Sequence, residues 1–301
     1  MEDVKMDKNK VQLGIAPIGW TNDDLPALGR ENTFEQCVSE MALAGFTGCE
    51  VGNKFPKDPK VLKHMLDIRG LTIANQWFSS EFVSKPFEVT VNNFVKQLEF
   101  LKAMGAKIIG CSEQGNSIQG KDVPVIGNSP RFSEEEWDLV TRGYNHLGAI
   151  ARDYGFTLTY HHHAGTAVET IEEVDRFLEM TDPDLVYLLY DSGHFYFVGE
   201  DPLEAVKKYI GRIRHVHLKD VRDDVLSDVK KEKMSFLDGV RAGVFTVPGD
   251  GDIDFGPIFD VLGENNYEGW MVVEAEQDPA KANPFEYALK ARRYIKEKAG
   301  I

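Results

Sequence analysis

The chain has 301 residues, of which 42% are hydrophobic, so it is long enough for one large α/β domain with a substantial core. Lys and Arg number 34 against 49 Asp and Glu, which gives a formal net charge of −15. This excess of negative charge repels a phosphate backbone and argues against nucleic acid as a partner.

Eight short apolar runs recur along the chain, and each is typical of a strand that is buried on both faces. In chain order they cover residues 12–19, 46–52, 71–78, 106–112, 156–163, 185–191, 213–220 and 270–276. Helical patterns separate these runs, and several of them begin or end on a recognisable signal.

Three kinds of helix signal are present. A capping-box pattern occurs at Thr33, Ser133 and Thr166. An N-cap followed by proline occurs at Asp58, Asp201 and Asn283. A glycine suited to end a helix occurs at Gly70, Gly105 and Gly211.

Eight strand–helix units in a chain of 301 residues have the size and rhythm of a TIM barrel. A doubly wound sheet is the alternative, but the glycine-rich motifs GxGxxG and GxxxxGK[ST] that mark its nucleotide sites are absent from the sequence. We therefore predict a single (β/α)8 TIM-barrel domain over residues 1–301.

The segment after the seventh predicted strand, 221–254, is long and begins with a charged stretch. We predict an extended loop, with two interpretations of its role. It is either a solvated surface insertion or a cover of the active site, since it leaves the end of the barrel where catalytic groups lie.

The last four predicted strands each end on a histidine or a carboxylate. The segments are LTYHHHAGT (158–166), LVYLLYDSGH (185–194), IRHVHLKD (213–220) and WMVVEAEQD (270–278). Parallel strands of a barrel present these ends at one mouth, where TIM-barrel active sites are built. Imidazole mixed with carboxylate suits a divalent metal such as Mn²⁺, Co²⁺ or Zn²⁺.

Strand alternation predicts which side chains of the fifth and eighth strands face the barrel axis. In the fifth strand, the large apolar face with Tyr160 should meet the helices, so His161 and His163 point inward. In the eighth strand, Glu274 and Glu276 share a face. Glu274 is the deeper of the two and the better metal ligand.

The sixth and seventh strands supply the remaining candidates. Asp191 ends the sixth strand and is predicted to be a ligand, with His194 in the loop beyond it as a substrate contact or an ordinary loop residue. His217 and Lys219 share the inward face of the seventh strand, where His217 is the ligand candidate. His215 is interpreted as a core histidine bonded to backbone.

The remaining motifs argue against other kinds of site and location. The GxSxG nucleophile motif is absent, and Cys37, Cys49 and Cys111 lack an adjacent activating motif or CxxC spacing. They are predicted to be buried, reduced thiols of a cytoplasmic protein. The charged N-terminus shows no signal-peptide core, and no run reaches the roughly 20 apolar residues of a membrane span.

Two short sequence motifs resemble motifs of a known superfamily. DSGH (191–194) is similar to the D-T-G-H turn of the xylose-isomerase-like TIM barrels, and HVHLKD (215–220) is similar to their seventh strand. This superfamily contains sugar isomerases, epimerases and endonuclease IV. The resemblance implies metal ligands at His161, Asp191, His217 and Glu274. Many members carry Glu at the position of His161, and His163 is a rival for this ligand.

More narrowly, the chain resembles the inosose dehydratase family. The matching phrases are GIAPIGWTNDD (14–24), YHHHAGT (160–166), YDSGHF (190–195), HVHLKDV (215–221), VPGDGDIDF (247–255) and GWMVVEAEQDP (269–279). The resemblance implies dehydration of 2-keto-myo-inositol (scyllo-inosose) to a trihydroxycyclohexane-1,2-dione in myo-inositol catabolism. It also implies a requirement for Mn²⁺ or Co²⁺ and a response to glutathione.

Such a dehydration needs a base for the α-proton and an acid for the departing hydroxyl. The candidates for these two roles are Lys219, His163, His194, Glu276 and Glu113. We expect the acid to come from Lys219, His163 and His194, which should lie beyond the ligands toward solvent. Candidates for the walls of a polyol pocket are Trp20, Asn75, Gln76 and Trp77.

Two other functions remain open. A keto-sugar isomerase or epimerase would use the same metal with two bases, although His161 in place of Glu disfavours a two-carboxylate epimerase. A non-catalytic protein that binds a polyol would show tight binding without turnover. A small-molecule ligand is expected in every case, and a homo-oligomer is left open.

Overall fold

All eight predicted strands are present in the computed structural model, which describes residues 6–301. The strands are β1 (Val11–Ile15), β2 (Gly48–Glu50), β3 (Thr72–Asn75), β4 (Trp77–Ser80), β5 (Ile108–Glu113), β6 (Thr157–His161), β7 (Val186–Asp191), β8 (Ile213–Leu218), β9 (Asp220–Val221), β10 (Phe245–Thr246) and β11 (Gly269–Val273). Nine of them form one parallel sheet, in the order β3-β2-β1-β11-β8-β7-β6-β5-β4, whereas β9 and β10 form a separate antiparallel pair.

The third predicted strand, 71–78, is divided into two strands that close the barrel. β3 pairs with β2, and β4 pairs with β5, so the two ends of the sheet are consecutive in the chain and meet at Gln76. The side chain of Asn75 bridges this seam, because its Oδ1 accepts a hydrogen bond from the backbone N–H of Gly110 at 2.7 Å. The sheet is therefore a TIM barrel, as predicted.

Helices surround the barrel. They are α1 (Phe34–Leu43), α2 (Pro59–Asp67), α3 (Phe87–Met104), α4 (Glu134–Tyr154), α5 (Ile171–Glu179), α6 (Ser192–Val198), α7 (Pro202–Tyr209), α8 (Asp223–Lys231), α9 (Phe236–Ala242), α10 (Phe255–Glu264) and α11 (Pro284–Ala299). Within residues 6–301, none of the helices has the length and apolar composition needed to cross a membrane.

Most of the helix-start predictions are confirmed. The side chains of Thr33, Asp58, Ser133, Asp201 and Asn283 each accept a backbone hydrogen bond at the start of a helix. The prediction at Thr166 is wrong. Its hydroxyl donates to the carbonyl of His163, and α5 begins one turn later with a capping box formed by Thr170 and Glu173.

The helix-end predictions are confirmed in part. Gly105 ends α3 in the left-handed conformation. Gly70 also has a positive φ of 67°, but the cap of α2 is Ile68. Ile210, not Gly211, caps α7.

The predicted faces of the fifth barrel strand, β6, are confirmed by its contacts. Tyr160 packs against Phe177 on α5, with 3.9 Å between ring centroids, and His162 stacks on Phe195 of α6. His161 and His163 lie on the opposite face, within 5.5 Å of each other, and the ring of His161 lies 5.1 Å from that of His217. The two inward histidines therefore face the barrel mouth.

The segment 221–254 is folded and does not form the extended loop that we predicted. It contains α8, α9 and β10, and β10 pairs with β9. Two of its aromatic side chains, Phe236 and Phe245, are buried against the ring of His194. Of the two interpretations, the contacts favour a cover over this side of the barrel mouth.

A single buried carboxylate anchors the end of that segment to the barrel. Asp220 accepts hydrogen bonds from the backbone N–H groups of Val221, Gly249, Gly251 and Ile253, at 2.9–3.1 Å. An ionised carboxylate is the strongest acceptor available for such donors.

We expect Asp220→Ala to lower the free energy of unfolding by about 2–4 kcal/mol, because it leaves buried N–H groups without acceptors. Urea unfolding followed by circular dichroism measures this change. Asp260→Ala, at an exposed position of α10, is the matched control and should change stability by less than about 0.5 kcal/mol. An Asp220→Ala protein as stable as the control would contradict the anchoring role.

Candidate active site

Four strand ends bring their polar side chains to one point at the barrel mouth. His161 Nε2 lies 3.3 Å from Asp191 Oδ2, which in turn lies 3.5 Å from His217 Nδ1. His217 Nδ1 is also 2.9 Å from Glu274 Oε2. We call these four residues, His161, Asp191, His217 and Glu274, the strand-end cluster. The structure therefore places the four predicted ligands together.

Asp191 is positioned by its second carboxylate oxygen. Oδ1 accepts a hydrogen bond from the backbone N–H of His194 at 2.9 Å and so caps the start of α6. This bond directs Oδ2 toward His161 and His217. The residue thus caps a helix with one oxygen and joins the cluster with the other.

The geometry of the strand-end cluster fits a divalent cation. His217 Nδ1 is buried and makes no hydrogen bond among the described residues, although a carboxylate oxygen of Glu274 lies 2.9 Å away. Two buried lone pairs at this separation repel each other unless a positive charge lies beside both of them. Ligand atoms about 2.0–2.2 Å from one cation and at right angles to each other are about 3 Å apart, as these atoms are.

Of the two inward histidines of β6, His161 contacts Asp191, whereas His163 bonds to Ala164. His163 Nδ1 donates a hydrogen bond to the carbonyl of Ala164 at 2.8 Å, and its ring packs on that of His194 with 3.7 Å between centroids. A neutral His163 therefore keeps Nε2 as an acceptor. Burial lowers the pKa of His163 to about 3, so the ring is neutral at physiological pH.

Among residues 6–301, Lys219 is the one ammonium in direct contact with the cluster. Its Nζ lies 2.7 Å from Glu274 Oε1, 2.9 Å from His194 Nε2 and 3.4 Å from Glu276 Oε1. Burial lowers the pKa of Lys219, but Asp191 and Glu274 outweigh this effect and raise it, so the side chain stays protonated. Lys219 and His194 are fully buried, which corrects the expectation that they lie toward solvent.

Glu276 carries a free oxygen beside the ammonium. Its Oε2 is buried and makes no hydrogen bond to any described residue. Burial raises the pKa of Glu276 to about 7, against the opposing effect of Lys219. A carboxyl group with such a pKa can accept or donate a proton near neutral pH.

A cavity of about 330 Å³ opens next to these groups. Glu276, Glu274 and His163 form part of its wall. The rest of the polar wall consists of Asp23, Asp24, Glu50, Asn53, Gln76, Ser79, Gln114 and Gln119. Gln119 donates a hydrogen bond to Asp24 at 3.1 Å and joins the loops after β1 and β5 across the opening. Among the described residues that line the cavity, none is Lys or Arg.

Two of the four candidates for the pocket wall line this cavity. Gln76 and Trp77 line the cavity, and the indole of Trp77 meets the ring of His161 edge-on. Trp20 is instead buried and donates to Glu40 on α1. Asn75 is part of the barrel seam and does not line the cavity.

Glu113 is not part of the site. Its carboxylate accepts hydrogen bonds from the hydroxyl of Ser80 and from the backbone N–H groups of Phe82, Val83 and Gly115. The residue therefore stabilises the chain that follows β4, and its candidacy as acid or base is wrong.

Glu50, at the end of β2, is a residue of the site that the sequence analysis missed. Its Oε1 accepts hydrogen bonds from His217 Nε2 at 2.9 Å and His215 Nε2 at 3.1 Å. His215 is therefore bonded to a carboxylate and not to backbone. The signal was present in the sequence, since the run 46–52 also contains an acidic residue at the end of a strand.

Buried carboxyl groups outnumber buried ammonium groups around the cluster. Glu50, Asp191, Glu274 and Glu276 contribute four carboxyl groups, whereas Lys219 contributes one ammonium. Buried charges need partners of opposite sign, because water cannot stabilise them. Burial lowers the pKa of His217, but Glu274 and Glu50 outweigh this effect and raise it well above its usual value, so the ring takes up a proton when no metal is bound. A divalent ion at the cluster would replace that proton and add to the positive charge.

Comparison with known proteins agrees with this architecture. Residues 38–298 match the family described as xylose isomerase-like TIM barrel. The fold is also similar to the crystal structure of the IOLI protein with a binding zinc atom, with a TM-score of 0.71. The alignment covers 96% of this chain and 98% of that chain at 16% identity.

Two relatives are similar over nearly the whole chain. The inosose dehydratase of Clostridium tetani is 60% identical over 98% of this chain and 99% of its own length. The inosose dehydratase of Geobacillus thermodenitrificans is 62% identical over the same shares, 98% and 99%. The chain therefore belongs to the inosose dehydratase family, within the xylose isomerase-like TIM barrels.

Proposed function

We propose that the protein is an inosose dehydratase that removes water from 2-keto-myo-inositol to give 3D-(3,5/4)-trihydroxycyclohexane-1,2-dione. Relatives at 60% and 62% identity that carry this activity in their names support the proposal. The main structural support is Nδ1 of His217, which is buried without a hydrogen bond among residues 6–301 and lies beside Glu274. The cavity next to it is lined by Glu276, which can exchange a proton near neutral pH.

We propose His161, Asp191, His217 and Glu274 as the ligands of a single divalent ion. Imidazole nitrogen and carboxylate oxygen suit Mn²⁺ or Co²⁺, the metals that the family resemblance implies. When bound, such an ion supplies Lewis-acid polarisation of the substrate ketone. The role of His163 is then to accept a hydrogen bond from a substrate hydroxyl through Nε2.

The cavity favours an uncharged polyol over a sugar phosphate. Carboxylate and amide side chains such as Asp24, Gln76 and Gln119 hydrogen-bond hydroxyl groups well. A phosphate group would instead meet the carboxylates of Glu50 and Glu274 with no Lys or Arg among the described lining residues. The proposed setting is the cytoplasm, where the three buried free cysteines would remain reduced.

We assign the proton transfer to Glu276. Its carboxylate takes the α-proton of the substrate and returns it to the departing β-hydroxyl, which leaves as water. Lys219 stays protonated, and its positive charge stabilises the negative charges of Glu274 and Glu276. The candidates Lys219 and His194 then act by positioning and charge, since both are buried behind the wall of the cavity.

A keto-sugar epimerase is the second candidate function. It requires two groups that exchange a proton on opposite faces of one carbon. Burial brings Glu276 to a pKa of about 7, whereas Glu274 is paired with the ammonium of Lys219 at 2.7 Å and burial keeps His163 neutral. This asymmetry favours elimination with one proton-transfer group.

Incubation of the protein with scyllo-inosose and Mn²⁺ tests the function. We expect the dione, detected by absorbance and mass, and loss of its formation after treatment with EDTA. An epimerised inosose without dione would support the epimerase, and tight binding without any product would support a polyol-binding protein.

The position of Lys219 depends on a glycine in α6. A Cβ added at Gly193 would lie 2.5–2.8 Å from Cβ, Cγ and Cδ of Lys219, which is closer than real contacts allow. We expect Gly193→Ala to displace the ammonium and to lower kcat by roughly 10²-fold, the typical cost of about 1 Å of misplacement.

The matched control is Gly211→Ala, because no atom lies within 4 Å of a Cβ added there. Steady-state kinetics and thermal unfolding should be measured on both variants. Wild-type turnover in a folded Gly193→Ala protein would show that the position of Lys219 is unimportant.

A further inference from the structure

One carboxylate oxygen of Glu50 is surrounded by three donors. Oε1 accepts from His217 Nε2 at 2.9 Å, from His215 Nε2 at 3.1 Å and from Asn75 Nδ2 at 2.9 Å. All four side chains are buried. Hydrogen bonds to an ionised acceptor are stronger than those between two neutral groups.

These bonds determine where the ring protons of the two histidines lie. An ionised carboxylate can only accept, so Nε2 of His217 and Nε2 of His215 must each carry a hydrogen. In a neutral ring the lone pair is then on Nδ1. For His217, Nδ1 is the atom that faces Asp191 and Glu274.

We infer that Glu50 is a positioning residue that holds His217 in the Nε2–H tautomer and directs its Nδ1 at the cation. The inference rests on the proposed function, because it assumes that a divalent ion occupies the strand-end cluster. A carboxylate that accepts from the second nitrogen of a metal-bound histidine orients the ring and increases its basicity.

Glu50 is itself held by the seam of the barrel. Asn75 donates to Glu50 through Nδ2, while its Oδ1 accepts from Gly110 N–H at 2.7 Å. A Cβ added at Gly110 would lie 2.8 Å from Asn75 Nδ2, so only glycine leaves room for this bridge. The break between β3 and β4 therefore supports the orientation of a ligand on β8.

A second cation at Glu50, His215 and His217 is the competing explanation, since one donor atom from each lies within 4.8 Å of the others. The distances of 2.9 and 3.1 Å are already satisfied by ring N–H donors. A cation there would require both Nε2 atoms to lose their hydrogens. The number of ions bound per chain separates the two explanations.

The test is Glu50→Gln, which keeps the shape and removes the charge, in chelated full-length protein titrated with Mn²⁺. Electron paramagnetic resonance of free Mn²⁺ gives the affinity and stoichiometry. We expect one ion per wild-type chain and 10–100-fold weaker binding by the variant, the typical cost of removing such a partner. Glu113→Gln is the matched control, because Glu113 is a buried strand-end glutamate that does not contact the cluster.

A spectroscopic readout separates positioning from general stability. In NMR spectra of the Co²⁺-loaded protein, the shifted signal of the His217 ring N–H is identified by its loss in His217→Ala. We expect this proton to exchange slowly with water. It should exchange much faster in Glu50→Gln, and remain slow in Glu113→Gln even if that control is less stable. Glu50→Asp, which retracts the charge by one methylene, replaces Glu50→Gln if the latter does not fold.

The outcomes are distinct. A wild-type protein that binds no Mn²⁺ would defeat the proposed function itself. One ion bound with equal affinity and equal N–H exchange in wild type and Glu50→Gln would overturn only the role of Glu50. Two ions per wild-type chain, one of which is lost in Glu50→Gln, would replace positioning by a second metal site.

Discussion

Asp191→Ala is expected to abolish both metal binding and turnover. Asp191 Oδ2 lies between His161 and His217, so its removal opens the strand-end cluster and takes away one negative charge. Metal-ion polarisation contributes several kcal/mol to catalysis, which corresponds to a loss of roughly 10³-fold in kcat/KM. Elemental analysis of the purified variant and its kinetics with scyllo-inosose measure the two effects.

The control for this change is Asp58→Ala. Asp58 caps the exposed start of α2 and lies outside the strand-end cluster. Its loss should cost about 1 kcal/mol of stability and leave metal content and kcat/KM unchanged. Stoichiometric Mn²⁺ bound by Asp191→Ala with wild-type affinity would contradict the assignment of this ligand.

Glu276→Gln should remove the proton transfer while leaving the cation in place. The amide has the size of the carboxyl group but cannot take the α-proton, and Glu276 is not among the four proposed ligands. We expect the rate of dione formation to fall about 10²–10⁴-fold, the usual contribution of acid–base catalysis. Exchange of the α-proton in deuterated water should fall with it, and Mn²⁺ affinity should change little.

Lys219→Met provides the contrasting variant for this assignment. It removes the ammonium beside Glu276 and retains a side chain of similar length. If Lys219→Met exchanges the α-proton at the wild-type rate but forms little dione, Lys219 is the acid for the departing hydroxyl. The single-group mechanism at Glu276 would then be wrong.

Much of the site could be predicted from the alternation of side chains along strands and from the convergence of strand ends at the mouth of a barrel. Asp191, His217 and Glu274 end consecutive buried strands, and the ends of parallel strands meet at one mouth. His161 and His163 could not be ranked in the same way, since both face inward. Only the packing of His163 on His194 and Ala164 separates them.

Other features depend on contacts between distant parts of the chain. β2 has three residues, too few for a clear alternation, so nothing local connected Glu50 with His215 and His217. The run 71–78 contains no Gly or Pro to mark a break, and its division at Gln76 arises from closure of the barrel. Thr166 and Thr170 both have a glutamate three residues later, and tertiary hydrogen bonds selected Thr170.

In the mechanism that we propose, inosose dehydration requires one divalent ion held by the strand-end cluster. The most direct test of this requirement is a titration of EDTA-treated protein with Mn²⁺, in which bound ion and dione formation are measured on the same samples. We expect activity to rise in proportion to metal occupancy and to reach its maximum at one ion per chain. Full dehydratase activity in protein without bound metal would contradict this mechanism.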